Sequence, residues 1–429
     1  MTPLKLPERQ KGSPPPEAPL GSPPVSLSAL PTAMKAPQIL AADAPEPSPR
    51  GPEPNRVPAG SLAPPSLRPP AGRAGIRLVW LAVLAASLVA SALAVVRWRR
   101  GEAEHTLSAG PAHLGAFSAT LDVRTFQRGN IHTHTARSDG RQSPREVAEW
   151  YRDHGYQFLA ITDHDVLVDP AELSDVERPG FVLLPGEEIT STAREKPVHL
   201  QALCIDHLIA SGHYDTPLQA LATGIAAVHA QNGFVVVNHP NFSWAFGVAD
   251  LTPLPGPYAL EIWSGHPAVY SAGDATRPSH EAMWDELLTR GRRVTAVAVD
   301  DEHTLVPTDG GGDALPGQAW IWTFGELGRE PVCDALRSGR LYASSGVVFR
   351  RLRVEPDRFT VWVDNPGDTV VFVASAAQVL AIVTSDALAH DDDGFAASYT
   401  LRGGEAYVRA LARAPDGSAA WTQAYYTSP

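Results

Sequence analysis

The chain has 429 residues, which is enough for a large core and for more than one domain. Its formal net charge of −12 is uneven, because residues 1–100 hold 12 Lys or Arg against 5 Asp or Glu and the rest of the chain therefore carries −19. This acidity argues against a general nucleic-acid binder, and the two cysteines, Cys204 and Cys333, exclude a disulfide scaffold and a cysteine-built zinc site while leaving a single disulfide open.

The first hundred residues are predicted to form a tail and a membrane anchor. Residues 1–73 hold 20 of the 40 prolines within the first 70 positions and have no hydrophobic period, so we predict a disordered Pro-rich tail. Residues 78–96 are apolar and uncharged, and at 1.5 Å per residue they match a bilayer core. A signal-peptide core would lie nearer the start of the chain, so we predict a transmembrane helix over 77–98.

This helix predicts a single-pass membrane protein. Arginines flank both ends of the apolar run, so the positive-inside rule does not fix the orientation. We expect the catalytic part on the exported side. A linker over 99–122 is predicted to follow the helix.

Short apolar runs and helical stretches alternate over 123–344. The predicted strands are Phe126–His132, Phe158–Thr162, Phe181–Pro185, Leu200–Ile205, Phe234–Asn238, Ala259–Trp263, Val294–Val299 and Ala319–Phe324. The predicted helices are one that Ser143, Pro144 and Glu146 open with a capping box, then Pro217–Gln231, His280–Arg290 and Pro331–Ser338. This alternation predicts an α/β fold in which a parallel sheet closes into a barrel.

The last part of the chain, 345–429, has no helical signal. Strand-like runs such as Thr369–Ala374 and Ala406–Ala412 predict a small β-rich unit there.

Residues that can bind metals stand at the ends of the predicted strands. They are His132, His134, Asp139, Asp163, His164, Glu187, Glu188, His199, His239, Asp300, Asp301 and His303. The C-terminal ends of strands in a parallel barrel share one face, and the alternation of side chains along a strand puts both imidazoles of an HxH pair on one side. Imidazoles mixed with carboxylates suit Zn, Mn or Fe, and their number predicts two or three divalent ions.

The order of these motifs, HxH, TDHD, GxE, NHP and DxH, resembles the PHP (polymerase and histidinol phosphatase) family over residues 125–345. The CehA/McbA-like branch is the nearest likeness, and the segments LRSGRLYASSG and AWTQAYYTSP also fit it. The resemblance implies a distorted (βα)7 TIM-like barrel with a metal site at the C-terminal ends of its strands.

The resemblance also implies nine metal ligands. One ion would be bound by His132, His134 and Asp301, a second by His199 and His239 with Glu188 as the bridge, and a third by Asp139, His164 and His303. The GxE motif selects Glu188 over its neighbour Glu187.

Four further residues are candidates for catalysis. Asp163 is a candidate partner of His164 or proton shuttle, or else a turn cap. His266 stands in IWSGHP, where related sequences tend to have asparagine, and is either functional or a loop histidine. Arg137 and Lys196 are candidate contacts for an anionic substrate.

A metal-bridged hydroxide is the expected nucleophile. Because members of the family mostly cleave phosphoesters, we expect hydrolysis of a small-molecule phosphate ester. A carboxyl or carbamate ester hydrolase is the enzymatic alternative, and a non-catalytic membrane-tethered binding module is the alternative of another class. Nucleic acid is not an expected partner, and the oligomeric state is left open.

Overall fold

The computed structural model describes residues 120–308 and 311–427. The predicted tail 1–73, the predicted helix 77–98 and all but the last three residues of the predicted linker 99–122 lie outside this range.

The predicted single-pass membrane localisation is contradicted. Within 120–308 and 311–427, no helix is long and apolar enough to cross a membrane. The longest helix there, Pro217–Ala230, has 14 residues, or about 21 Å at 1.5 Å per residue, against about 30 Å for a bilayer core. The predicted helix 77–98 is itself outside the described residues.

The elements are named here in chain order. The first part of the fold consists of β1 Leu121–Val123, β2 Gln127–Asn130, α1 Pro144–Asp153, β3 Phe158–Ala160, β4 Val182–Leu184, β5 Gly186–Ala193, β6 Lys196–Leu203, β7 His213–Tyr214, α2 Pro217–Ala230, β8 Phe234–Val237, α3 Val248–Leu251, β9 Ala259–Ser264, α4 His280–Thr289, β10 Thr295–Val299, β11 Trp320–Thr323, α5 Arg329–Arg337 and β12 Leu341–Ser344. The second part consists of β13 Phe349–Glu355, β14 Arg358–Val363, β15 Thr369–Ala374, β16 Gln378–Val383, β17 Ala389–Asp391, β18 Gly394–Thr400, β19 Tyr407–Arg413, β20 Ala419–Thr422 and β21 Tyr425–Tyr426. Single 3-10 turns lie at Pro170–Leu173, Phe242–Trp244, Pro267–Val269 and Ser375–Ala377.

The strands confirm a mixed α/β fold, and hydrogen bonding divides those around the predicted ligands between two sheets. One sheet has the order β10-β9-β8-β6-β5-β7, and a second runs β16-β15-β19-β20-β12-β11-β2-β3-β4. Strand β6 is antiparallel to both of its neighbours, which interrupts the parallel pattern. The two sheets approach each other through the parallel bridges Thr133–Glu302 and His164–Glu188, which lie among the predicted metal ligands.

The β5–β6 hairpin is the main element that the sequence pattern does not predict. Its turn residues Arg194 and Glu195 both have positive φ, 50° and 64°. A two-residue turn of this kind usually carries Asn-Gly or Asp-Gly. Because Arg-Glu lacks that signal, the pattern predicts a single strand from Leu200 where the structure has two long antiparallel strands.

Helix α1 begins as predicted. The Ser143 hydroxyl accepts a hydrogen bond from the Glu146 amide (3.3 Å), and the Glu146 carboxylate accepts one from the Ser143 amide (2.8 Å). This reciprocal capping box satisfies two amide groups that the first turn would leave unpaired. The helix buries Val147, Ala148 and Tyr151, so its start and its inward face are both fixed locally.

The β-rich part shares a sheet with the part that carries the metal ligands. Strand β12 pairs with β11 on one side and with β20 on the other. The Gln423 side chain also bonds the backbone of Ala296 in β10 at both N–H and C=O (2.9 and 2.8 Å). Arg409 in β19 forms a buried pair with Asp285 in α4 (2.6 Å). The C-terminal strands therefore brace the strand that ends at the ligands Asp301 and His303.

Cys204 and Cys333 form a disulfide that joins the end of β6 to α5. The two residues are 129 positions apart, with their Cα atoms 6.0 Å from each other. A cross-link that closes so long a loop strongly lowers the conformational entropy of the unfolded chain.

We expect the double variant Cys204→Ala/Cys333→Ala to lose about 2–5 kcal/mol of unfolding free energy relative to the oxidised protein. Guanidinium unfolding monitored by fluorescence would measure the loss. The reduced wild-type protein, which keeps both sulfur atoms, is the control and should behave like the variant. Equal midpoints for the oxidised and reduced wild type would contradict this expectation.

Candidate metal centre

The structure brings all nine predicted ligands together at one edge of the strands. They follow β2 (His132, His134, Asp139), β3 (His164), β8 (His239) and β10 (Asp301, His303), or lie within β5 (Glu188) and β6 (His199). Four groups place their ligand atoms within 4.8 Å of one another: His134, Asp139, His164 and His303; His132, His239 and Asp301; His132, His134 and Glu188; and His164, Glu188 and His199. The groups overlap, so ligands are shared between neighbouring positions.

Glu188 lies at the centre of the site, and its two carboxylate oxygens face different histidines. Oε1 lies 3.1 Å from His199 Nδ1 and 3.3 Å from His239 Nε2. Oε2 lies between 3.0 and 3.4 Å from one ring nitrogen on each of three further histidines, namely His132, His134 and His164. One oxygen toward each set is the arrangement of a bridging carboxylate.

The spacing of the donor atoms fits divalent ions. His132 Nε2 and His134 Nε2 are 3.1 Å apart, and Asp301 Oδ1 lies 3.1 and 3.2 Å from them. Two ligands of a tetrahedral ion with bonds of 2.0–2.1 Å lie roughly 3.3 Å apart. Glu188 Oε2 is buried and has no hydrogen-bond partner among the described residues, which is unfavourable unless a cation is bound.

Burial and opposite charge act against each other at the ligands. Burial alone would lower the pKa of His132, but Asp301, Glu188 and Glu261 outweigh it and raise that pKa well above its ordinary value. Burial would likewise raise the pKa of Glu188, but His132, His199 and His164 hold it well below its ordinary value. Without metal the site therefore retains protons on imidazoles, which bound ions must displace.

Asp163 holds the loop that carries His134 and Asp139 through hydrogen bonds to its residues. Its carboxylate accepts hydrogen bonds from the Thr135 amide (2.7 Å), the Thr135 hydroxyl (2.6 Å) and the Ser138 hydroxyl (2.6 Å). The loop returns close to His134 at Gly140. Only glycine fits there, because a Cβ would lie 2.5 Å from the His134 carbonyl. Of the roles predicted for Asp163, this geometry fits the cap of a turn that positions ligands.

Three polar residues that hold the ligands escaped the sequence analysis. Glu261 Oε1 lies 2.6 Å from His132 Nδ1, and its Oε2 accepts from the His239 amide (2.9 Å). Asn238 Nδ2 donates to Glu188 Oε1 (2.6 Å), and the Thr190 hydroxyl lies 2.7 Å from His164 Nδ1. Only Glu261 had a usable signal, because a carboxylate inside the apolar run Ala259–Trp263 must have a buried partner.

We expect Glu261→Gln to weaken metal binding about 10- to 100-fold, because the carboxylate orients His132 and raises its basicity. Competition with a chromogenic chelator would measure the affinity. Glu355→Gln in strand β13 is the matched control and should leave the affinity for metal unchanged. An unaltered affinity in Glu261→Gln would refute this positioning role.

The remaining catalytic candidates lie at different places around the site. His266 is partly buried, and its ring lies perpendicular to that of His303 with the centroids 5.2 Å apart. Lys196 Nζ donates to the Trp244 carbonyl (2.7 Å). Arg137 is paired with Glu172 in an ion pair that is partly open to solvent, which leaves its guanidinium less available to a substrate.

The chain resembles known proteins in sequence over a short part of its length. No family model matches the chain. It is 34% identical over 80 residues to the 5'-3' exoribonuclease Rnm of Salmonella typhimurium and 33% identical over 79 residues to a 5'-3' exoribonuclease of Haemophilus influenzae. Each match covers 18% of this chain, and the chain spans 27% and 28% of the length of these two relatives.

Three solved structures match the chain over half of its length or more. A two-domain protein from Bacteroides vulgatus that contains a predicted PHP-like metal-dependent phosphoesterase is 16% identical, with 70% of this chain and 95% of that chain covered and a TM-score of 0.36. A protein from Bifidobacterium adolescentis assigned as a metal-dependent phosphoesterase is 18% identical, with 51% and 98% covered and a TM-score of 0.35. An amidohydrolase from Chromobacterium violaceum is 16% identical, with 50% and 96% covered and a TM-score of 0.31. The His, Asp and Glu clusters of the site support a metal-dependent hydrolase.

Proposed function

We propose that the protein is a hydrolase of PHP type that binds two or three divalent ions and cleaves a small-molecule phosphate ester. The observation that carries this proposal is Glu188, whose two oxygens face separate sets of histidines. A bridge of this kind places ions close enough together to act on one substrate group. The distorted (βα)7 barrel and the CehA/McbA-like branch suggested by the motifs belong to the same proposal.

The reaction consumes one water and one ester. A new P–O bond forms from the water oxygen, the P–O bond to the alcohol breaks, and the alcohol oxygen leaves with a proton. When bound, divalent ions supply a water of lowered pKa and neutralise the charge on the phosphoryl oxygens. The nine predicted ligands would hold the ions, while Glu261, Asn238 and Thr190 hold those side chains in position.

We propose that His266 donates a hydrogen bond to the oxygen of the leaving alcohol, while the attacking water supplies the proton that this oxygen takes up. Burial lowers the pKa of His266, so the ring is neutral near pH 7. Its Nδ1 accepts a hydrogen bond from the Ala268 amide (3.1 Å), which leaves the proton on Nε2. A neutral ring with a fixed tautomer can donate to an oxygen that gains charge.

A substrate panel tests the proposed function. The protein loaded with Zn or Mn is assayed with an aryl phosphate, an aryl carbamate, an aryl carboxyl ester and a short 5'-phosphorylated RNA. We expect turnover of the phosphate above that of the other three. The carbamate, the carboxyl ester or the RNA as the preferred substrate would replace the proposal by that activity. No turnover, with no metal recovered in elemental analysis, would favour a binding module.

A further inference from the structure

Two aromatic residues stack at the surface beside the metal centre. The rings of Trp244 and Tyr270, called here the aromatic pair, have centroids 5.2 Å apart and planes inclined by 21°. Tyr270 is 52% exposed in spite of this contact. The stacked arrangement therefore leaves part of the Tyr270 ring open to solvent and accessible to another flat ring.

The aromatic pair lies on the two segments that leave the metal ligands. Trp244 ends the turn after His239, and in that turn the Phe242 ring packs on His239 and His199, with centroids 5.4 and 6.1 Å away. Tyr270 ends the turn that His266 begins. The Asn241 side chain donates to the Tyr270 carbonyl (3.0 Å) and so ties the two segments together at the edge of the site.

The backbone of the aromatic pair is held in an unfavourable conformation. Ser243, Trp244 and Tyr270 have φ values of 51°, 52° and 50°, in the left-handed region that bulky residues seldom adopt. Each such residue costs free energy that the surrounding contacts must offset. The stacking of the two rings and the hydrogen bond from Asn241 are among the contacts that hold this backbone in place.

Two cations adjoin the aromatic pair. The Arg277 guanidinium lies over the Trp244 ring, 4.7 Å from its centroid, and Lys196 Nζ bonds the Trp244 carbonyl. An aromatic face and a carbonyl oxygen are uncharged partners, so these two contacts leave both positive charges in place. Their charge is available to an anionic substrate that approaches the ligands.

We propose that the aromatic pair binds a planar ring of the substrate, so that the site takes phosphate esters whose alcohol side carries an aromatic ring. This rests on the proposed phosphoesterase function. An aryl group and a nucleobase share the chemistry that the pair would recognise, because each offers a flat π-face for Tyr270. The phosphate would lie at the ligands and the ring at the aromatic pair.

Binding of phosphonates, which are not hydrolysed, tests the subsite without relying on turnover. Phenylphosphonate, methylphosphonate and the phosphonate analogue of adenosine monophosphate are titrated calorimetrically into the metal-loaded protein. We expect phenylphosphonate to bind about tenfold more tightly than methylphosphonate, and Tyr270→Ala to remove that difference. Tyr270→Phe keeps the ring and should retain the difference. Ile382→Ala, which removes an exposed apolar side chain from strand β16, is the matched control.

The three phosphonates distinguish a nucleobase subsite, an aryl subsite and the absence of a ring-binding subsite. If the adenosine analogue binds more tightly than phenylphosphonate, and Tyr270→Ala removes this preference, the substrate ring is a nucleobase. If phenylphosphonate binds more tightly, and Tyr270→Ala removes that preference, the substrate ring is an aryl group. Equal affinities for phenyl- and methylphosphonate, or a difference that Tyr270→Ala retains, would overturn the subsite. Failure of the proposed function is distinct, because aryl phosphates would then not be hydrolysed although the Tyr270-dependent preference remained.

Discussion

Replacing Glu188 by glutamine is expected to lower kcat/KM by about a thousandfold or more and to release bound metal. Five histidines face this one carboxylate, so its charge holds the whole cluster together. Glutamine has the same size but no charge, and its amide protons would be directed at positions where ions bind. Steady-state kinetics and elemental analysis of the purified variant measure the two effects.

Glu187 provides the matched control one residue away. Side chains alternate along β5, and the Glu187 carboxylate accepts from the Ile209 amide (2.6 Å), away from the histidines. Glu187→Gln should therefore keep its metal and lose only a few-fold in activity, because it removes no ligand. Similar losses in both variants would mean that the effect of Glu188 comes from the fold and would refute its role as the bridge.

Removing the metal is expected to abolish hydrolysis and to destabilise the protein, more at about pH 8 than at about pH 5.5. The free energy of unfolding should fall by about 4 kcal/mol if free metal stands a thousandfold above its Kd. Melting temperatures with and without a chelator at the two pH values would measure this dependence.

The protonation of the imidazoles explains why metal removal should destabilise the protein more at the higher pH. In the metal-free protein the pKa values of His132, His134 and His239 are raised by nearby carboxylates, so that their ion pairs add stability below pH 6.5 and lose it as pH rises through the folded pKa. Metal binding needs the same rings deprotonated and strengthens as pH rises. A chelator effect that shrank toward pH 8 would contradict this account.

The sequence was sufficient to predict which histidines and carboxylates come together, because each motif is local. His132 and His134 lie on one side of an extended segment whichever strands pair around them, and TDHD, NHP and DxH each place a ligand directly after an apolar strand. Helix α1 was predictable for the same reason, since Ser143 and Glu146 form their capping box within four residues.

The features that sequence did not reveal depend on contacts between distant segments. Glu261 reaches His132 across 129 positions, and no local pattern pairs them. Arg137 was predicted to contact an anion, but its partner Glu172 lies 35 positions away and takes up much of its charge. The β5–β6 hairpin was missed because Arg194 and Glu195 adopt a turn that their residue types do not favour.

The β-rich part is also joined to the rest of the fold by a strand pair between segments far apart in sequence. The sequence predicted a small β-rich unit from residue 345, and in the structure one sheet continues across that boundary through the pairing of β12 with β20. Local composition detects the change from helix to strand, and it cannot detect which strand joins which sheet.

The pairing of β12 with β20 has a genetic consequence. A nonsense mutation at codon 345 would remove β20 and leave one edge of β12 without its partner, along a strand whose residues Leu341, Tyr342 and Ala343 are fully buried in the intact fold. An apolar open edge is a template for other chains, so the truncated product would aggregate instead of persisting as a smaller enzyme. Such an allele would therefore lose the proposed activity, even though all nine predicted ligands remained encoded.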